Sequence, residues 1–483
     1  MTDLHRISRR SAGAVALVAL AGGCRSTPSP AADSMTVSIP ERFSGDVSSA
    51  MLDTAPWWTT FGAASLDTTI EAALGGNLEL RQAWTRLRQA EASSRVAGAP
   101  RYPTVDLNAS VTEQRIEQRG DSGAGGFIPI RTGEVYSLGI SAGYEVDLFG
   151  RIDSELRAAR LEEVATAADV EATGLTLSGT VSDAWFTAVE SYALIDLVTE
   201  QVRVGEQLLE VTETRFGTGS GSALDVLQQR RQLEGTRAEI PRLEGDAERA
   251  LYQLSVLTGR PPGDIASEPP RALPALPPLP ALDVPIAILE NRPDVVAAAR
   301  RVESADASVA AAIADRYPRF TLSASYNFDG TEIENILDRS IASIIADLVT
   351  PLVDGGRRRA EVERQRAVLD GAIDAFQLAV LTALQEVEEA LSLERRGIER
   401  IVVLDRQATI ARDELAQARF RYVSGVDNYL TVLAAVQNLQ QLERSLVSER
   451  ASVLRARTQL HRALGGAWTE TLERPDRSPA QED

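Results

Sequence analysis

Cysteine is almost absent from this chain: Cys24 is the only one in 483 residues, which excludes an intrachain disulfide and a cysteine-based zinc cluster. Histidine is nearly as scarce, with only His5 and His461, so no HExxH or other histidine-spaced metal site can be written. No Walker sequence occurs. Gly217-x-Gly219-x-Gly221 follows a helical pattern instead of a strand, so it reads as a turn between helices and not as a dinucleotide site. Carboxylates are plentiful but scattered, and no catalytic, cofactor or metal residue is expected. Acidic residues outnumber basic ones, 69 to 50, for a net charge of -19, which disfavours nucleic acid as a partner. Aromatics reach only 5%, few for several ordinary globular cores.

Proline is missing from two long stretches, Arg151 to Phe216 and Arg357 to Tyr422. In the first, Val181, Trp185, Val189, Tyr192, Ile195 and Val202 recur near helical spacing; in the second, Phe376, Val380, Leu384, Val387 and Leu391 do. A single helix over either stretch is about 100 Å long, which predicts a coiled coil or helical tube. The two stretches belong to a duplication. Arg215-Phe216-x-x-Gly219 returns as Arg421-Tyr422-x-x-Gly425, Gly150-Arg151 as Gly356-Arg357 and Gly259 as Gly465, each about 206 residues later. A second helix is expected in each copy, from Ser222 to Thr258 and from Asn428 to Leu464, after a glycine turn. A third is expected before each Tyr-Pro pair, near 78–97 and 294–314.

Between each Tyr-Pro and the next Gly-Arg lies a strand signal. Val105, Leu107, Ala109 and Val111 alternate with polar residues, and Leu138, Ile140, Ala142, Tyr144, Val146 and Leu148 do so on the return. The second copy offers Phe320, Leu322, Ala324, Tyr326 and Phe328, then a less regular partner from Ile341 to Val349. Each copy thus supplies one hairpin, with an exposed loop expected from Arg119 to Gly133. Four strands cannot close a lipid-spanning barrel, so several chains must pool them. A water-soluble hairpin packed on the helices is the alternative.

The N-terminus reads as an export signal. Basic residues Arg6, Arg9 and Arg10 precede an apolar run from Ala12 to Ala21, and Ala21-Gly22-Gly23-Cys24 follows. Cys24 at that place resembles the lipidation site of bacterial lipoproteins, and Arg25 next to it points to an outer-membrane anchor; the alternative is a plain signal peptide. The expected organisation is a signal peptide at 1–23, a lipid anchor and linker at 24–76, and a first repeat at 77–259 with its hairpin near 104–148. A proline-rich linker at 260–291, a second repeat at 292–466 with its hairpin near 319–350, and a tail at 467–483 follow.

Asp147-Leu148-Phe149-Gly150-Arg151, Arg292-Pro293-Asp294-Val295, Asp427-Asn428-Tyr429-Leu430 and Ala463-Leu464-Gly465-Gly466-x-Trp468 stand in order along the mature chain. With the repeated Arg-x-x-x-Gly turns, they resemble the outer-membrane efflux lipoproteins, the NodT subgroup of the outer membrane factors. The resemblance implies an α+β membrane protein: a trimeric twelve-stranded β-barrel, four strands per chain, continued by a periplasmic α-helical tunnel with an equatorial collar. It implies passive conduction rather than catalysis. The implied partners are two further copies of the chain, a periplasmic membrane-fusion adaptor, an inner-membrane resistance-nodulation-division transporter and outer-membrane lipid. Two other readings stay open: the outer channel of a type I protein secretion system, and a soluble periplasmic coiled-coil scaffold.

The lower helical turns would meet the adaptor, which makes Arg215, Phe216, Gly219, Ser222, Arg421, Tyr422, Gly425 and Asn428 the expected contacts. The glycines could instead serve only the turns. Where relatives place a charged gate pair, this chain has Ala434 and Gln437. Closure is therefore expected from an apolar ring of Val432, Leu433 and Val436, beside Gln437, with Asp427 favouring cations at the mouth. One expectation can be tested at once: labelled palmitate enters the parent protein and not Cys24→Ala, and equal labelling of the two refutes acylation at Cys24.

Overall fold

A computed structural model of the chain describes residues 55–116, 131–280 and 292–474. The expected signal peptide, Cys24, the 281–291 part of the linker, most of the first hairpin loop and the tail beyond residue 474 lie outside the described residues. The chain order is a short 3-10 turn at Trp57–Phe61, α1 (Ala64–Gly76), α2 (Leu78–Gly98), β1 (Thr104–Ile116), β2 (Arg131–Val146), α3 (Arg151–Gly217), α4 (Ala223–Arg237) and α5 (Glu239–Leu257). The second copy follows with α6 (Pro293–Ala314), β3 (Arg319–Gly330), β4 (Ser340–Val349), α7 (Arg357–Val423) and α8 (Tyr429–Leu464).

The two long helices have the same length, 67 residues, and begin and end at the duplicated landmarks. Gly150 and Gly356 precede them with φ of 74° and 84°, a left-handed conformation that glycine adopts without a Cβ penalty. Asp147 accepts hydrogen bonds from the backbone N–H groups of Arg151 and Asp153, at 2.8 and 2.9 Å. The carboxylate of the Asp-Leu-Phe-Gly-Arg motif therefore satisfies otherwise orphaned donors at the first turn of α3. In the second copy Asp354 accepts from the N–H groups of Gly356 and Arg358, one residue nearer the helix than strict repetition would put it.

From Val380 onward the buried seam of α7 runs through Val380, Ala383, Val387, Ala390, Glu394, Gly397, Leu404, Ala408, Ala411, Leu415, Ala418 and Tyr422, with Leu391 buried beside it. Steps of three and four alternate, broken only where Ile401 is half-buried, which gives a repeat of about 3.5 and hence a left-handed supercoil. The seam packs on α8. Gly397 sits where Val453 of α8 comes so close that a Cβ would be 2.5 Å from its Cγ2, so a side chain at 397 forces Val453 to shift.

The two copies differ in their second helix. α8 runs unbroken for 36 residues, whereas the matching stretch of copy one is interrupted at Ala238 and resumes as α5. The expected single helix from Ser222 to Thr258 is thus corrected to two. Pro241 is the physical reason: its ring nitrogen cannot donate to the carbonyl of Arg237, and the ring crowds that carbonyl. Val447 stands at the corresponding place in α8.

The four strands form one antiparallel meander in the order β1-β2-β3-β4. Its register carries the alternation across every strand: Leu107 lies opposite Ile140, Ile140 opposite Tyr326, and Tyr326 opposite Ala342. On the other face Asn108 lies opposite Gly139, Gly139 opposite Asn327, and Asn327 opposite Ile341. One face is thus apolar from edge to edge and the other mainly polar, with Val135, Ile341, Ile345 and Val349 among its exceptions. Arg131 to Gly133, expected in the loop, continue β2.

Midway along the helices an aromatic cluster forms the thickest core. Trp57, Trp58 and Phe61 pack with Trp185, Phe186 and Trp468. His461 stacks on Trp57 at 5.4 Å between ring centroids. Two buried arginines of this belt tie separate segments together. Arg457 pairs with Glu394 of α7 and donates to the carbonyls of Pro277 and Pro278, which fastens the proline-rich linker to α8. Arg292 pairs with Asp294 and Glu386 and donates to the carbonyl of Ala463.

Burial, and then the nearby Arg457 cation, push the His461 pKa down from 6.5 to about 4. A folded pKa below the unfolded one means that the unfolded chain takes up the proton first. The stability is therefore full above about pH 6.5 and falls as the pH drops towards 4, by about 2 to 3 kcal/mol at pH 4.5. His461→Phe keeps the ring and removes the titration. Its melting temperature should fall less than that of the parent between pH 7.5 and 4.5, and equal falls would contradict the assignment.

Candidate functional site: the helical tip

The end of the helical region farthest from the sheet is built from two matching turns. Phe216 accepts from Gly219 N–H at 3.0 Å and Arg215 from Ser220 N–H at 2.8 Å; Tyr422 accepts from Gly425 at 3.0 Å and Arg421 from Val426 at 2.9 Å. Each is a paired carbonyl-capping turn with glycine in the left-handed region, φ 75° at Gly219 and 73° at Gly425. The two glycines are thus accounted for by the turns themselves. Ser222 is likewise a cap: its hydroxyl accepts from Asp225 N–H while Asp225 accepts from Ser222 N–H. Asn428 precedes α8 without a side-chain capping bond.

The arginines do more than the turns require. Arg215 lies over the Tyr422 ring at 4.6 Å and donates to the carbonyl of Val423, so a residue of the first copy grips the end of α7 in the second. Tyr422 donates to Asp225 at 3.5 Å, and Tyr429 donates to Gln229 of α4. Farther up, Gln437 donates to Gln232 at 2.6 Å and Gln232 to Gln440 at 3.1 Å. Gln201 of α3 reaches both the carbonyl of Gln440 and Glu443 at 3.3 Å. A polar ladder thus joins the two copies. Asp225, Gln229, Gln232 and Gln201 were missed in the sequence, where single polar residues on a helix carry no sign of their partner.

Arg421 pairs with Asp427 inside the second turn, at 2.6 Å. That guanidinium holds the Asp427 carboxyl below the usual carboxylate range. The negative charge of Asp427 therefore comes with an adjacent positive one, which weakens it as a cation-attracting group.

The expected apolar ring is corrected by the packing. Val432, Leu433 and Val436 are 1%, 5% and 3% exposed, and they join Leu415, Ala418, Tyr422 and Tyr429 in a core between helices of the same chain. Side chains spent on that seam cannot line an opening. Their spacing of one, three and four is the core face of a helix, and it was legible as such. The exposed face of α8 carries Thr431, Ala434, Gln437 and Asn438. Phe216 and Phe420 are also exposed at the tip.

Among the described residues no group of histidine, cysteine and carboxylate side chains is placed to hold a metal. The arrangement offers two chemistries instead: an amphipathic sheet suited to an apolar surround on one side and water on the other, and a helical tip with exposed aromatic and polar groups.

Comparison with known proteins fits this architecture. The outer membrane efflux protein family matches residues 69–260 and 284–466, one segment for each copy of the duplication. The pyoverdine export outer membrane protein OpmQ of Pseudomonas aeruginosa is 31% identical over 481 residues, covering 96% of this chain and 98% of that protein. Outer membrane protein OprJ of the same organism is 30% identical over 467 residues, covering 94% and 95%. Among solved structures, the outer-membrane channel OprN superimposes with a TM-score of 0.82 at 29% identity, over 89% of this chain and 97% of that one. The outer membrane protein VceC from Vibrio cholerae gives 0.79 at 26% identity, over 85% and 98%. The fold is that of the trimeric outer-membrane channels, a barrel continued by a helical tunnel, with four strands supplied by each chain. By both repeats and by overall fold, the chain belongs to the outer membrane efflux protein family.

Proposed function

We propose that three copies of this chain form the outer-membrane channel of a tripartite efflux pump and conduct small molecules passively from the periplasm to the exterior. The observation that carries this reading is the sheet. Its apolar face spans all four strands and its polar face lies opposite, while β1 and β4 each pair on one side only. In hydrocarbon those unpaired backbone groups must find partners, and three chains joined edge to edge give about twelve strands in a closed barrel. The polar face then lines water, and cargo crosses the membrane without entering lipid.

Energy for export comes from an inner-membrane pump, and a periplasmic adaptor joins pump to channel at the tip. Phe216, Arg215, Arg421 and Tyr422 are the contacts we assign to that junction, with Ser222 and Asn428 at the starts of the following helices and Gly219 and Gly425 holding the turns. Acylation of Cys24 would add a lipid anchor to the barrel's own hold on the membrane. The mouth is assigned to the exposed strip of α8 at Thr431, Ala434, Gln437 and Asn438, beside Asp427.

Three measurements test this. The detergent-purified protein should have the mass of a trimer and open channels in planar bilayers; a nonconducting monomer would refute the proposal. Deleting Thr321 to Val349 leaves a trimer with about six strands, fewer than the smallest known barrels. Conductance and trimer should vanish while most helical signal survives in circular dichroism, and a conducting trimer from that variant would overturn the pooled barrel. At the tip, Val432→Asp places a charge in the buried seam and should lower the melting temperature by about 5 °C or more. Ala434→Asp should leave melting unchanged and raise cation preference. Equal melting of the two variants, or unchanged selectivity in the second, would remove α8's exposed strip as the mouth.

A further inference from the structure

The polar strip of α8 assigned to the mouth continues up the helix. Ala434 is followed at steps of seven by Gln441 and Ser448, and Asn438 by Ser445 and Ser452. In a supercoil that repeats every 3.5 residues or about that, such steps stay on one side of the helix. Gln441 and the three serines line a cavity of about 440 Å³ between α5 and the α7–α8 pair. At Arg444 this cavity lies about 20 Å along α8 from Tyr429, by the rise of an α-helix.

The charge on its wall is unbalanced. Arg242, Arg400 and Arg444 stand there against Glu239 and Glu449. Both carboxylates are already engaged, Glu239 by Arg242 at 2.8 Å and Glu449 by Arg400 at 2.7 Å. Glu443, next to Arg444 in sequence, pairs instead with Arg412 at 3.3 Å. Among the described residues Arg444 forms no ion pair, and its guanidinium donates to the side-chain oxygen of Gln201 at 3.3 Å. One cation is thus left over. Apart from Leu194 and Leu243 the lining is polar, so a helix of another copy seated there would desolvate the ionised side chains of three arginines and two glutamates. Interface cores are depleted of charge, and water with a polar solute suits this wall better.

We propose that the cavity is a binding site on the conduction path for organic anions, with Arg444 receiving a carboxylate and the hydroxyls of Ser445 and Ser452 meeting the rest of the solute. The inference rests on the reading that the exposed strip of α8 faces the water path. A guanidinium presents paired N–H groups that match a carboxylate, and hydroxyls both donate and accept, so solutes of many shapes are tolerated. The volume falls within the range of small-molecule sites. Three copies set three such sites at one height. A single cation open to water holds an anion weakly, and a site on a conduction path must release what it takes up. The tunnel is therefore biased towards anionic cargo at this level, although the chain as a whole carries a net charge of -19.

The experiment uses the full-length trimer carrying Ser448→Cys and two thiol reagents of opposite charge, sulfonatoethyl and trimethylammonioethyl methanethiosulfonate. Each rate is divided by the same reagent's rate with a free thiol in solution, and the protein without Ser448→Cys supplies the blank for Cys24. The anionic reagent should modify position 448 about tenfold faster on this scale, and modification should change the current in planar bilayers. Adding Arg444→Gln should abolish the preference, and Arg444→Lys should keep most of it. A second readout needs no change at 444: citrate should slow modification by the anionic reagent, and chloride at equal ionic strength should not. Equal relative rates, a preference indifferent to Arg444→Gln, or equal slowing by citrate and chloride would overturn the site. Modification by neither reagent means that another copy fills the cavity, and modification without a change of current puts it off the water path; both outcomes refute the proposal and leave the channel reading standing. If the parent opens no channel, the channel reading itself falls.

Discussion

Backbone hydrogen-bond satisfaction is the constraint from which this architecture follows. A peptide group left unpaired in hydrocarbon costs several kcal/mol, so no open sheet can span a membrane. Among the described residues the chain makes four strands, and β1 and β4 end the sheet with an open edge each. Closure must then come from other copies, and the trimer becomes a condition of insertion instead of a later embellishment. The same demand shapes the ends of the helices. Asp147 and Asp354 serve the first turns of the long helices, and the capping turns at Gly219 and Gly425 serve the last ones.

Duplication lets one set of local rules solve the problem twice, and the departures from repetition are informative. Glycines with positive φ recur at Gly150 and Gly356, at Gly219 and Gly425, and at Gly259 and Gly465, although Gly465 has a ψ of -145°, outside the left-handed helical region. Between these glycines the copies diverge. Pro241 breaks the second helix of copy one, while α8 continues straight through the matching position. The second helix is thus jointed in copy one and unbroken in copy two. The ladder between the copies mixes glutamine–glutamine hydrogen bonds, each worth only about 1 kcal/mol net, with contacts to the carboxylates of Asp225 and Glu443.

Much of this was legible in the sequence because it depends on local chemistry. The strand alternation of Val105 to Val111 and Phe320 to Phe328, the helix boundaries at Gly150-Arg151 and Gly356-Arg357, and the turn glycines all appear where periodicity and backbone freedom put them. The tip was legible as a place and not as an arrangement. Val432, Leu433 and Val436 read as a ring because they follow the turn and are apolar, but three apolar residues on one helical face are first of all a packing seam. Which side of α8 faces water depends on what α3 and α7 bury, and that is a tertiary fact. The pairings of Tyr422 with Asp225 and Gln437 with Gln232 join positions about 200 residues apart and leave no local trace.

The packing around Arg457 shows why a channel protein holds buried charge. Arg457 and Glu394 are 2% and 6% exposed, and replacing such a pair with apolar side chains often costs a protein nothing in stability. Here the guanidinium has a second task, since it also donates to the carbonyls of Pro277 and Pro278. Consecutive prolines leave those carbonyls with no helix or sheet to join, and an apolar residue at 457 would leave the carbonyl of buried Pro277 without its donor. One arginine thus fixes the position of a linker that has no regular structure of its own, across two helices from different parts of the second copy. The ion pair keeps that cation in place. What looks like an expensive salt bridge is the means by which the proline-rich linker's irregular backbone is held against α7 and α8.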